Sequence, residues 1–364
     1  MVTDDLFPAP DGPRPGAGRA VRAASLFTGI GGLDLALGVE PVVQVERDPY
    51  CLDVLALRWP GVERVTDVRD YHPEPGSLDL VFGGPPCQPV SHAGRRKGDQ
   101  DDRWLWPEAL RVVREAMPRS VFFENPMGIR TLGLDGILAE LSEMGYGGAW
   151  EVVAAADVGA PHLRKRIFIM GVRGRIGWEG TTRPKGNRAV TWPTPTSTSG
   201  ERGGRGDLLG AVRGYPSPSG HLSDNLRGPA LWPTPTTRDH KDTGDSVANG
   251  TVPVNSLLGR AVEPSRERGA LNPDWVEWLM NCPIGWTDVT KPQPGPLYGW
   301  ESEPAIPRVG LGIPNRAKRL TALGNAVVPA QGRFAFHRLD GRIRGGSPVT
   351  DEQLTLAYRE GGRP

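Results

Sequence analysis

From Val21 to Val172 short apolar runs alternate with stretches of helical spacing. The runs at 21–27, 42–46, 78–82, 119–123, 149–156 and 166–172 are bounded by turn formers, which predicts buried strands. Leu134, Ile137, Leu138 and Leu141 stand at i, i+3, i+4 and i+7, so 134–144 is an amphipathic helix that Gly145 ends. Alternating strands and helices imply an α/β fold: a mainly parallel, Rossmann-like sheet with helices on both faces.

After Val172 the periodicity stops. Residues 173–270 are rich in Gly, Pro, Thr, Ser and Arg, with 14 Lys and Arg against 9 Asp and Glu. Trp192-Pro193-Thr194-Pro195-Thr196 recurs forty residues on as Trp232-Pro233-Thr234-Pro235-Thr236. Two copies are too few for a solenoid and suit two aromatic-anchored loops of one small domain. Helical spacing returns at 272–280 through Trp275, Trp278 and Leu279, and 315–339 reads as a further turn and helix. The expected organisation is a disordered tail (1–20), a catalytic domain (21–172), a loop-rich second domain (173–270), a return segment completing the first (271–340) and a loose tail (341–364).

Composition narrows the setting. No apolar run reaches the roughly 18 residues of a membrane span. The N-terminus carries no apolar signal core. Three cysteines, Cys51, Cys87 and Cys282, are too few and too scattered for a disulfide framework or a zinc site. No metal is expected, and the setting is intracellular. Of the 43 basic residues 37 are Arg, the better bidentate partner for phosphate and guanine.

The chemistry gathers at strand ends. The first strand runs into Phe27-Thr28-Gly29-Ile30-Gly31-Gly32, a glycine turn opening a helix, where backbone approaches a ligand closely. The dinucleotide fingerprint fails because Asp34 holds its third glycine position. Phe27 suits adenine stacking, Glu46 the ribose hydroxyls and Asp67 an adenine amino group, which fits an adenosine-bearing cofactor without a pyrophosphate. A plain tight turn is the competing reading. Gly83-Gly84-Pro85-Pro86-Cys87-Gln88 follows the third strand, so Cys87 is a nucleophile on a stiff loop or a small buried thiol. Glu124, in Glu124-Asn125-Pro126, is a carboxylate closing an aromatic strand, and burial there would raise its pKa. Arg164 and Arg166 share one face of an extended segment and suit a carbonyl oxygen or a phosphate.

Taken together, these motifs resemble the DNA cytosine-5 methyltransferases. The matching residues run in the family's order over roughly 21–340: the Phe27–Gly32 turn, Glu46, Asp67, Gly84-Pro85-Pro86-Cys87-Gln88, Glu124-Asn125-Pro126, Arg164-x-Arg166 and Gly324-Asn325-Ala326-Val327-Val328-Pro329. The resemblance implies a class I methyltransferase fold, S-adenosylmethionine as cofactor and double-stranded DNA as partner. It implies that Cys87 adds to C6 of a flipped-out cytosine, that Glu124 protonates N3, and that Arg164 and Arg166 bind O2 and a phosphate. Phe27, Thr28, Gly29, Gly31, Gly32, Glu46, Asp67, Pro86, Asn325 and Val327 would hold the cofactor. The stretch 173–270 would be the target-recognition domain, and Arg95, Arg96, Lys97 and Arg103 would let the loop after Cys87 close on DNA phosphate. A cytoplasmic monomer is expected, in a bacterium or a phage-infected host, beside a separately acting restriction endonuclease. One position departs: the family has Gln where His162 stands. An RNA methyltransferase on the same fold is the alternative, but the tRNA-acting relatives carry a shorter insert and a Cys-Phe-Thr motif absent here. A non-catalytic DNA-binding relative is the other, against which intact Cys87 and Glu124 speak.

Overall fold

A computed structural model describes residues 20–86, 104–181, 232–241, 258 and 270–345. Cys87, the charged loop to Arg103, the first Trp-Pro-Thr-Pro-Thr copy, most of 173–270 and, apart from residue 20 and 341–345, the two expected tails lie outside the described residues.

Eight strands form one sheet in the order β3-β2-β1-β4-β5-β7-β6-β8. They are β1 (Ala23–Leu26), β2 (Val43–Val45), β3 (Glu63–Val65), β4 (Leu80–Gly83), β5 (Ser120–Pro126), β6 (Tyr146–Ala154), β7 (Lys165–Arg173) and β8 (Trp178–Thr181). β1 to β5 pair in parallel, and β7 alone runs against its neighbours. The helices between them are α1 (Gly32–Leu37), α2 (Pro49–Arg58), α3 (Trp106–Ala116), α4 (Ile129–Leu132) and α5 (Leu134–Glu143). Parallel neighbours need crossovers, and these helices supply them.

Alternation along the strands explains the two covered faces. Ala24, Leu26, Val81, Val121 and Phe123 point to one side, where Leu110 and Val113 of α3 and Ile137 and Leu141 of α5 pack. Ala23, Leu80, Phe82 and Phe122 point to the other, against Leu33 and Leu37 of α1 and against α8 (Pro329–Arg344). A third cluster joins Tyr50, Cys51 and Val54 of α2 to α6 (Pro273–Leu279) and α7 (Arg316–Asn325). A short hairpin of β9 (Ala270–Leu271) and β10 (Val309–Gly310) flanks α6.

Several details differ from the sequence reading. β3 was not expected, because its residues are polar and half exposed at a sheet edge. β8 extends the sheet past Val172 by pairing with β6. The sixth strand begins earlier, at Tyr146, and gives way to a 3-10 turn over Ala155–Val158. The 315–339 stretch is two helices, since Ala326–Val328 is extended before Pro329 and α8 runs on to Arg344. Asp34, at the missing glycine position, is buried, and it accepts from Ser25 Oγ at 3.0 Å and Gln44 Nε2 at 3.1 Å. It ties α1 to β1 and β2, and burial pushes its carboxyl up to about 6.

Candidate active site

Strand register brings the motif residues to one edge. Leu26 pairs with Val45 and with Gly83, Val45 with Val65, and Gly83 with Phe123. The next residues, Phe27, Glu46, Thr66 and Gly84, therefore leave the sheet at the same level, beyond the carboxyl ends of parallel strands, with Glu124 of the longer β5 beside them. Pro126 opposes Arg166, so the start of reversed β7 reaches that edge too.

The glycine turn is left-handed at Phe27 (φ 53), Gly29 (φ 58) and Gly31 (φ 81). Thr28 Oγ1 donates to Ser25 O at 2.9 Å and fixes the turn. A Cβ at Gly29 would enter open space, whereas one at Gly32 would lie 2.6 Å from Val327 O. Gly32 is thus what lets the closing motif lie against α1. Trp286 donates from its indole to Ile30 O at 2.8 Å, a second tie from the return segment. Val327 is buried beside the turn, and Asn325 is exposed at the end of α7.

Glu46 accepts from Gly29 N–H at 2.6 Å with one oxygen and from Arg47 and Asp48 N–H, both at 2.8 Å, with the other. Burial pushes its carboxyl up, and these hydrogen bonds pull it back. A carboxylate has about four acceptor positions, so capacity for a hydroxyl remains. Asp67 accepts from Arg69 N–H at 3.0 Å, which caps the 3-10 turn Val68–Asp70. Arg111 of α3 holds that turn: its guanidinium donates to Val68 O at 2.7 Å and Tyr71 O at 3.1 Å. Glu108 and Glu115, each 2.8 Å away, fix the same guanidinium. An open glycine turn, a carboxylate with spare acceptors and a capped acidic turn fit an adenosine-bearing cofactor. Sequence reasoning missed Arg111, because nothing in its own spacing marks it.

At the other half of the edge, Glu124 is 7% exposed and accepts from Arg166 Nε at 2.8 Å. A Cβ at Gly84 would lie 3.1 Å from Glu124 Oε2, so the loop that carries Cys87 leaves β4 directly beside this carboxylate. Burial pushes the Glu124 carboxyl up, while Arg166 and then Arg164 pull it down. Pro85 is buried and Pro86 half-buried. Cys51 and Cys282 are buried free thiols, and burial pushes both thiols up, which makes them inert.

Arg164 and Arg166 both bear on Glu124, but of the two only Arg166 is paired with it. Arg164 is buried and donates to Pro235 O at 3.0 Å, Gly324 O at 3.1 Å and Ala326 O at 2.5 Å. Extended-strand spacing would put both on one face, but Arg164 has a φ of 24, which turns it off the strand. His162 is fully buried, and its Nε2 donates to Leu279 O at 3.0 Å. Among the described residues no group of three His, Cys, Asp or Glu is placed to hold a metal ion, and no helix is long and apolar enough to cross a membrane.

The family described as C-5 cytosine-specific DNA methylase matches residues 21–230, more than half of the chain. The chain belongs to this family. DNA cytosine-5 methylation is the activity that membership gives it. The type II methyltransferase M.AquIA of Picosynechococcus is 35% identical over 212 residues, covering 51% of this methylase and 81% of that protein. M.NgoMIV of Neisseria gonorrhoeae is 31% identical over 181 residues, covering 47% of this chain and 55% of that one. A crystal structure of a Spodoptera frugiperda DNMT2 mutant overlays with a TM-score of 0.51 at 14% identity, over 86% of this chain and 98% of that one. That likeness establishes the class I, Rossmann-like fold of the methylase.

Proposed function

We propose that this methylase transfers a methyl group from S-adenosylmethionine to C5 of a cytosine turned out of a specific duplex sequence. The observation that carries the reading is the pairing of buried Glu124 with half-buried Arg166, 2.8 Å apart, beside the Gly84 loop that leads to Cys87. Cytosine C5 is a poor nucleophile until C6 is attacked. The Cys87 thiolate would form a bond to C6 as Glu124 gives a proton to N3, leaving C5 as an enamine carbon. Arg166 holds Glu124 and favours the thiolate. Bound S-adenosylmethionine supplies an electrophilic methyl to that carbon. Loss of the C5 proton to water then expels the Cys87 thiolate, and N3 returns its proton to Glu124.

The target base is inaccessible inside a stacked duplex, so the substrate cytosine is extruded. Phe27, Thr28, Gly29, Gly31, Gly32, Glu46, Asp67, Pro86, Asn325 and Val327 frame the cofactor side. The enzyme acts as a cytoplasmic monomer in a bacterial or phage-infected cell, alongside a separate cognate endonuclease. Incubation with duplex DNA and labelled S-adenosylmethionine, followed by base-resolution sequencing, tests the reading. The expected product is 5-methylcytosine at one position of one short sequence. Label in single-stranded RNA of the same sequence, and none in the duplex, would overturn it.

A further inference from the structure

The second Trp-Pro-Thr-Pro-Thr copy lies on the catalytic domain. Trp232 N–H donates to Pro161 O at 2.6 Å, and the two segments form a single β-bridge at His162. The Trp232 ring packs edge-on against Trp275 at 5.4 Å, with the Arg308 guanidinium 4.7 Å from its centroid. That aromatic anchors the segment within the core instead of offering a face to a base. Two residues on, Thr234 Oγ1 accepts the backbone N–H of Arg164 at 3.1 Å, and the Pro235 carbonyl accepts from its guanidinium at 3.0 Å. The strap then crosses α7 at Gly324, where a Cβ would lie 2.3 Å from Thr236 C and Thr237 N. Only glycine permits that crossing. Asp239 closes the far end by accepting from Thr236 N–H at 2.6 Å and Leu258 N–H at 2.9 Å.

Arg164 is the residue this strap grips. Its φ of 24 is unfavourable for a side-chain-bearing residue and persists only where the surroundings over-determine it. Its N–H, both terminal nitrogens of its guanidinium and its carbonyl, which accepts from Gln331 Nε2 at 2.8 Å, are engaged. Two residues later Arg166 meets Glu124. Relaxing the turn at Arg164 would re-aim the start of β7 and with it the Arg166 side chain.

We propose that the 232–236 strap is a positioning element of the base pocket. Thr234 and the Pro235 carbonyl hold Arg164 in its strained turn so that Arg166 faces Glu124, and this copy of the repeat does not read the target. Thr234 is thus a positioning residue for methyl transfer. The inference rests on Glu124 and Arg166 being the pair that holds the base.

Thr234→Val keeps the shape and removes the acceptor. It should lower kcat about tenfold, the effect of one hydrogen bond to a buried group. The KM for S-adenosylmethionine and the methylated sequence should stay those of the parent. Thr234→Ser, which keeps the hydroxyl, should recover most of the rate. Wild-type kcat in Thr234→Val overturns the proposal. A changed methylated sequence overturns it too, because the strap would then be a reader. If Thr234→Val does not fold, equal impairment of a folded Thr234→Ser counts against the hydroxyl's role and recovery counts for it. Glu124→Gln separates the two layers. Full activity there removes the base-pocket reading itself, whereas an impaired Glu124→Gln beside an unimpaired Thr234→Val removes only the strap.

Discussion

At the scale of single residues, Glu124 and His162 show how burial shifts a carboxyl up and an imidazole down. Burial pushes the Glu124 carboxyl up, while Arg166 pulls it down and keeps it oriented, which suits a group that passes a proton to N3. Glu124→Gln should lower the single-turnover rate by roughly 10²-fold, the usual scale of lost general-acid catalysis, with duplex affinity within a factor of a few. Rapid-quench kinetics beside a binding titration checks this. For His162, burial and the Arg164 charge push the imidazole from 6.5 down to about 3. The folded ring is neutral and donates from Nε2, so it serves as a hydrogen-bond donor as the family's Gln would. The unfolded chain takes up a proton near pH 6.5 that the folded chain refuses until about 3. This contribution is therefore present above pH 6.5 and lost as the pH falls, on the order of 2 kcal/mol by pH 5. His162→Gln should flatten that acid limb, as thermal unfolding at pH 5 and 7.5 would register; identical losses in both proteins would refute it.

Among the elements, α3 connects two functional parts that are distant in sequence. It begins just after the charged loop following Cys87, and its Arg111 grips the turn capped by Asp67. Loss of two charge-assisted hydrogen bonds to carbonyls should let that turn drift. Arg111→Met keeps the helix, since Met is a good helix former. It should weaken S-adenosylmethionine binding about tenfold by calorimetry while kcat at saturating cofactor changes little. An unchanged affinity would place the adenine elsewhere. The loop over Pro283–Lys291 acts on α2 in a similar way. Arg58 donates to Trp286 O at 2.9 Å and Gly285 O at 2.7 Å, and Tyr50 donates to Thr287 O at 2.7 Å. Buried Arg319 of α7 joins the same loop to α6 through Glu277 at 2.9 Å.

For the whole molecule, the return segment is half of the site's support. α8 packs on α1, β6 and β7, and Gln331 donates to Val153 O and Arg164 O, both at 2.8 Å. The strap at 232–241 belongs with this core by its contacts, although its composition matches the loop-rich stretch around it. A graft meant to change target specificity should therefore spare it. Replacing 182–231 alone by the corresponding stretch of a relative should move methylation to that relative's sequence while keeping the rate. Replacing 173–270 entirely should cost activity through the lost Thr234 and Asp239 contacts. Base-resolution sequencing of DNA methylated by each chimera decides; an unchanged site in an active 182–231 chimera would put the reader elsewhere, most simply in the loop after Cys87.

The fold class and most of the edge residues were legible in the sequence. Buried parallel strands must be apolar runs, and glycine turns, acidic strand ends and the Pro-Pro-Cys loop mark where such strands stop. Those signals are local, and local chemistry dictates them. Long-range contact decided the rest. Arg164 serves three carbonyls from a backbone angle of φ 24, and its N–H is bonded to Thr234, seventy residues away in sequence. The polar edge strand β3 is held by register with β2 and not by its own pattern. Asp34 could be seen to break a fingerprint, but only the packing of α1 on β1 and β2 gives it partners. Two identical Trp-Pro-Thr-Pro-Thr segments cannot be told apart by sequence; the tertiary structure puts the second against Gly324 because no side chain stands there to keep the backbones apart.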